Sequence, residues 1–274
     1  MAVTTFIPEI WAARLLEHLD KAHVYAALVN RDYEGEIRNA GDTVHINTIG
    51  DITVGNYTGA AITYEDLVTT DQELKIDQSK YFAFQVDDVD KAQALPGLVE
   101  EATQRAAYAM NDNTDAFLAS ALAADATAMT AASVTKTNVY ETLVNMKVAL
   151  DQNNVPSEGR WVVIDPQFHG LLLQDERFVS FGTDITNERL VNGRVGRAVG
   201  MDIYVSNNVP VASNAYTIMA GVPMAATYAE QLIKTEALRS ETTFKDKIRG
   251  LHVYGAKVTI PTGIVKLAAT YAQG

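Results

Sequence analysis

The sequence predicts an α+β fold built from an extended β-hairpin, one long helix and an inserted α/β unit. Three observations predict it. Residues 31–80 alternate apolar and polar positions around a glycine-rich stretch. Residues 97–123 carry one continuous helical face. From Ser133 onward, helical and strand patterns alternate, and the chain ends in strand-rich sequence.

The chain has 274 residues, 47% of them hydrophobic, enough for one large domain or two small ones. It has no cysteine, which excludes disulfides, thiolate metal sites and cysteine nucleophiles and fits a cytosolic folding environment. The start, MAVTTFIPEIW, shows no basic segment followed by an apolar run, so no signal peptide is expected. No stretch reaches the ~18 consecutive apolar residues of a membrane helix. The net charge of −12 argues against a charge-neutralising nucleic-acid binder. The charge is uneven. Residues 31–90 hold 13 Asp/Glu against 4 Lys/Arg, whereas residues 234–257 hold 6 Lys/Arg against 3 Asp/Glu.

Residues 6–30 read as an amphipathic helix. Pro8 suits its first turn, and Ile7, Trp11, Leu15 and Leu19 form a stripe that Val24 and Leu28 continue. Such a terminal helix must dock on its own core or on a neighbour. The hairpin follows. Val44, Ile46 and Thr48 alternate with His45 and Asn47. Ile52, Val54, Ile62 and Tyr64 extend the pattern, and Gly50, Gly55-Asn56 and Gly59 punctuate it. Its apolar content is too thin for a core of its own, so it reads either as a surface loop or as an arm lying on another surface.

YFAFQV (residues 81–86) is an aromatic strand leading into Asp87, Asp88 and Asp90. These carboxylates suit a helix N-terminus better than a cation site, since no EF-hand glycine or closing carboxylate follows. Pro96 sits near the start of the long helix. Leu98, Ala102, Ala106, Met110, Phe117 and Ala121 mark its face, over roughly 40 Å. Residues 123–132 mark a boundary. Val139, Leu143, Met146 and Leu150 form the next helical face, and WVVI (residues 161–164) is a buried strand. Asp165-Pro166 starts a further helix, with Asp165 as its cap. Residues 190–200 read as a loop, residues 201–205 as a strand, and residues 220–232 as the close of the α/β unit. Leu251, Val253, Val258 and Ile260 around Gly255, then residues 264–267, are strands.

Catalytic signatures are missing: no phosphate loop, no HExxH and no GxSxG. The glycines of Gly193, Gly196 and Gly200 do not have dinucleotide-binding spacing and precede a strand. His169 lies four residues after Asp165, the one pairing that invites an enzymatic reading, as a soluble α/β hydrolase-like enzyme. No motif ties a nucleophile to it. His18, His23, His45 and His252 lack metal-ligand spacing. No catalytic, cofactor-binding or metal residue is assigned, and no cofactor is expected.

The order of arm, acidic hairpin, long helix, inserted unit and returning strands resembles the major capsid protein fold of tailed double-stranded DNA phages, shared by encapsulin shells. DQSKYFAFQVDDVDKAQA (residues 77–94) resembles the join between that family's extended loop and spine helix. NGRVGRAVGMDIYVSNNVP (residues 192–210) resembles the late part of its axial domain. FKDKIRGLHVYGAKVTIP (residues 244–261) resembles its return to the peripheral domain. The likeness runs over residues 6–269.

The resemblance implies an N-terminal arm (1–30), an extended loop (31–80), a peripheral domain with the spine helix (81–132 and 236–274) and an axial domain (133–235). It implies a structural protein and not an enzyme. Copies would form pentamers and hexamers closing into an icosahedral phage head around double-stranded DNA, assembled in the host cytoplasm and ending in the virion. Separate scaffolding, portal and decoration proteins would be further partners, and no membrane is involved. Some members cross-link through a lysine in the extended loop. Here only Lys75 and Lys80 are present, at its base, so a non-covalent shell is expected. Some members also carry a cleaved scaffolding domain before the arm; here the arm starts near Met1, and scaffolding is expected to come from a separate protein or to be unnecessary. Expected subunit contacts are Trp11 and Leu15 by apolar burial, and acidic Asp51, Glu65 and Asp66 facing basic Lys245, Lys247 and Arg249. An encapsulin-type nanocompartment and a tail or surface-array protein are the alternatives.

Overall fold

The computed structural model describes residues 24–33, 42–49, 56, 64, 66, 69–87, 98–175, 194–239 and 245–271. Its strands are β1 (Thr43–Ile49), β2 (Thr69–Lys75), β3 (Gln78–Asp87), β4 (Thr127–Ala128), β5 (Ala132–Val134), β6 (Trp161–Ile164), β7 (Arg194–Ala198) and β8 (Met201–Val205). They continue as β9 (Val211–Ala212), β10 (Ala215–Gly221), β11 (Ala226–Arg239), β12 (Lys245–Val258) and β13 (Ile264–Tyr271). The helices are α1 (Leu98–Asp125), α2 (Val139–Gln152) and α3 (Pro166–Leu172).

Among the described residues the strands form three sheets. An eight-stranded sheet runs β4-β13-β10-β6-β8-β7, with β5 beside β13 and β9 beside β10. A three-stranded antiparallel sheet runs β11-β12-β3, and β1 and β2 form a separate antiparallel pair.

The eight-stranded sheet holds the driest part of the core. All four residues of β6 are buried, as are Val139, Leu143, Met146 and Leu150 on one face of α2. That face is the helical stripe expected from sequence, and its burial against a sheet is what stabilises a helix of 14 residues. Asp165 caps α3 as expected, accepting from the backbone N–H of Gln167 at 2.9 Å and of Phe168 at 3.3 Å.

The spine helix α1 spans 28 residues, close to the expected limits. It lies on the three-stranded sheet, where Phe117 meets Tyr254 edge-on at 5.3 Å and Ala107 and Met110 pack on Phe82. Its last turn has no basic residue of its own. Lys266, from β13, donates to the carbonyls of Ala123 and Ala124 instead, a cation at the negative helix end.

Four expectations are corrected. The final strand, expected with the spine helix in 236–274, belongs to the eight-stranded sheet. Pro261–Gly263 turns the chain there, and Ile264, Val265, Leu267 and Ala269 are buried beside β10. Residues 226–235, expected in the inserted unit, belong to the three-stranded sheet, because β11 runs unbroken along β12 except for one irregularity between Leu232 and Lys234. The expected loop at 190–200 contains β7, which forms a hairpin with β8. Val199 and Gly200 make its tight turn at φ +54° and +80°. Finally, residues 24–30 do not continue a helix: Ala26–Leu28 is a single 3₁₀ turn, and Asn30 pairs in parallel with Thr227.

Candidate assembly surface

The three-stranded sheet has two unlike faces, set by period two. Phe82 and Phe84 of β3 share a face with Ile248, Gly250, His252 and Tyr254 of β12, toward α1. The opposite, outer face carries Tyr81, Ala83 and Gln85 of β3 across from Leu251, Arg249 and Lys247 of β12. Glu236 and Leu238 of β11 complete it by register with Arg249 and Lys247.

Half of this outer face is covered by the chain itself. The base of the β1–β2 hairpin lies on it, burying Val44, Ile46, Leu74 and Ile76 against Ala229 and Val253. Gly255 makes that approach possible, because a Cβ there would stand 2.2 Å from the Lys75 carbonyl oxygen. The surface that the thin hairpin requires is therefore, at its base, its own subunit. The strand that returns is Thr69–Lys75, in register from Thr43↔Lys75 to Ile49↔Thr69. Ile52, Val54 and Ile62 lie outside the described residues, and Tyr64 and Asp66 are exposed.

Among the described residues, nothing is packed on the Tyr81 end of the other half. Tyr81 is 79% exposed and Leu238 45% exposed. Tyr81, Ala83, Glu236, Arg249, Gly250 and Leu251 line an open cleft of about 490 Å³. Arg249 donates to Glu236 at 2.5 and 2.8 Å, and Arg239 to Asp246 at 3.2 Å. The expected basic patch is thus partly neutralised within its own sheet. Ion pairs this exposed contribute only ~0–1 kcal/mol and can exchange partners.

Of the expected contact residues, Lys245, Lys247 and Arg249 share one end of the outer face of β12 by register, and Lys247 and Arg249 are exposed. Trp11, Leu15, Asp51 and Glu65 lie outside the described residues. Lys75, beside Thr43 at the hairpin base, pairs with Glu73 at 3.2 Å. The Asp165–His169 pairing does not form. The Asp165 carboxylate takes the Gln167 and Phe168 amides and the Tyr271 hydroxyl, while the His169 Nε2 is buried without a partner. Burial pushes the His169 pKa down, where a paired carboxylate would push it up. Among the described residues no group of three or more acidic or histidine side chains could hold a metal ion, and no helix is long and apolar enough to cross a membrane.

A family model described as phage capsid protein matches residues 69–267, which include both large sheets and the spine helix. A solved chain from Mycobacterium phage Che8 is 33% identical, with 97% of this chain and 98% of that chain covered and a TM-score of 0.73. The chain belongs to the phage capsid protein family. The capsid of cyanophage P-SCSP1u has the same fold at 17% identity, covering 94% of this chain and 88% of that one with a TM-score of 0.69. A virus-like particle from Pyrococcus furiosus shares it at 14% identity, covering 95% and 98% with a TM-score of 0.61. No curated protein matches the sequence. This capsid protein therefore has a structural role, and its candidate site is a surface.

Sequence reasoning missed Tyr81, Glu236, Leu238 and Leu251 in this capsid protein. The signal was present for Tyr81: strict alternation through YFAFQV sets Tyr81, Ala83 and Gln85 opposite Phe82 and Phe84.

Proposed function

We propose that this capsid protein assembles as pentamers and hexamers into an icosahedral phage head that encloses double-stranded DNA, with no covalent cross-link between subunits. The observation that carries the reading is the half-bare outer face of the three-stranded sheet in a member of the phage capsid family. One half of that face already holds a hairpin base, and the other offers the same kind of sheet surface to a neighbouring copy. The occupant is the neighbour's residues 50–68, whose charged residues Asp51, Glu65 and Asp66 are all acidic. They would approach Lys245, Lys247 and Arg249, while Trp11 and Leu15 of the arm supply apolar burial. The eight-stranded unit would face the five- and six-fold axes. A net charge of −12 suits a container wall that does not trap DNA during packaging.

Expression of the chain, alone and with its neighbouring genes, followed by negative-stain imaging tests this. Closed shells are expected, and a protein that stays monomeric in every condition contradicts it. Reversing the charge of Asp51, Glu65 and Asp66 together should slow assembly strongly at low salt and less at high salt. Assembly in the host cytoplasm with separate scaffolding, portal and decoration proteins belongs to the same reading. The fold shared with the Pyrococcus furiosus virus-like particle supports a second one, a nanocompartment shell. Protein cargo in purified particles, in place of nucleic acid, favours that alternative.

A further inference from the structure

We infer that Asp115 and Glu230 are positioning residues for assembly: they lock the register of residues 24–31 on the subunit core, and so fix where the N-terminal arm and the extended loop join it. The inference rests on the shell reading for its consequence, though not for its geometry.

Residues 24–31 span the junction of the expected arm (1–30) and the expected loop (31–80). Their apolar side chains are buried in the main core: Tyr25, Ala26, Leu28 and Val29. Apolar burial alone is tolerant of sliding, because it has no direction. Three directional contacts remove that tolerance. At one end, the buried Asp115 of α1 accepts from the Val24 N–H at 2.9 Å and the Tyr25 N–H at 3.3 Å. Next to the other end, the Asn30 N–H donates to the Ala226 carbonyl at 2.9 Å, and the Asn30 carbonyl accepts from the Tyr228 N–H at 2.9 Å. At the other end, Arg31 Nη2 donates to Glu230 Oε1 at 2.6 Å.

Glu230 is held for this task. Its other oxygen accepts from the Tyr228 hydroxyl at 2.6 Å and lies 3.0 Å from His252 Nε2, and the whole side chain is 5% exposed. His252 Nε2 faces that carboxylate, and the buried His252 Nδ1 has no hydrogen-bond partner among the described residues. A fully bonded buried carboxylate tolerates one arrangement of its donors. A one-residue slip of the tether would bring Asp32 to Glu230 in place of Arg31, setting two carboxylates together. The same slip would break the hydrogen bonds that Asp115 accepts from the Val24 and Tyr25 amides. Arm and loop therefore start from two fixed points, and small errors there grow with distance along each segment.

Asp115→Asn and Glu230→Gln test the inference, beside Val163→Ala as a control that lowers stability in the eight-stranded sheet without removing any of the tether's hydrogen bonds. Thermal melting of each subunit, particle yield and particle diameter are measured together. The expected result is misclosed or scarce particles from the two tether variants well below their melting temperatures, with normal particles from a control of equal or greater stability loss. Normal yield and diameter from both tether variants overturns the inference. Should neither fold, Arg31→Ala, which keeps both buried carboxylates, replaces them; its failure to fold also overturns the inference, since the contact then serves folding. Should the wild type form no particles, the shell reading fails separately. Hydrogen exchange on the free subunit then decides. Exchange at Tyr25 and Asn30 faster by about tenfold or more supports the lock, and unchanged exchange refutes it.

Discussion

The two large sheets of this capsid protein solve different problems. The eight-stranded sheet buries β6 completely and covers itself with α2, whose inward stripe is fully buried. The three-stranded sheet covers one face with the spine helix and leaves half of the other open, with Tyr81 at its edge 79% exposed. A sheet that finishes its own burial serves the subunit. A sheet that stops halfway is, in the function proposed above, the one that serves a neighbour. Substitutions should therefore separate: in the first sheet they lower stability and lower assembly only through unfolding, and on the open half of the second they lower assembly alone.

The largest effect is expected at Trp161, which is buried in β6. Trp161→Ala should lower subunit stability by about 3–5 kcal/mol, read by denaturant unfolding. Leu74 at the hairpin base is also fully buried, but in the small cluster beneath β1 and β2. Leu74→Ala should reduce stability by about 2–5 kcal/mol if that cluster unfolds with the rest. A smaller global loss, with fast exchange confined to β1 and β2, would mark the hairpin as a separate unit. Tyr81→Ser sharpens the comparison most. It should leave stability within about 0.5 kcal/mol of wild type while sharply reducing particle yield. Equal losses in stability and yield would erase the proposed difference between the sheets.

The smallest effect concerns pH. Hydrogen bonds from Lys147 at 2.5 Å and Arg160 at 2.6 Å hold the Asp151 carboxyl below the usual carboxylate range. Its folded-state pKa is thus the lower one. The resulting stability is present above the unfolded value of about 4, and is lost as pH falls toward the folded value. Asp151→Asn should flatten slightly the acid side of the stability profile, and leave particle yield at neutral pH unchanged.

Local features were legible in the sequence. The stripe of α2, the buried WVVI strand, the Asp165 cap and the extent of the spine helix each depend on neighbours within a few residues. Sheet membership was not. Nothing local to Ile264 or Val265 says that they pair with β10 and not with β12, because strand partners are chosen by global packing. Glycines misled at 190–200, where Gly200 serves a tight hairpin turn and the strand beside it holds Gly196. Of the candidate site, the basic side chains on β12 were legible from charge. The bare face around them was not, since exposure depends on how far the hairpin base reaches. Nothing in the local sequence marks Asp115 and Glu230, because Val24, Tyr25 and Arg31 reach them from about 90 and 199 residues away.

The central claim is that the open half of the three-stranded sheet is a seat for a neighbouring copy. A reconstruction of the assembled particle tests it most directly. The account predicts residues 50–68 of an adjacent subunit lying over Tyr81, Arg249 and Leu251. Closed particles in which those three residues face open solvent would contradict it.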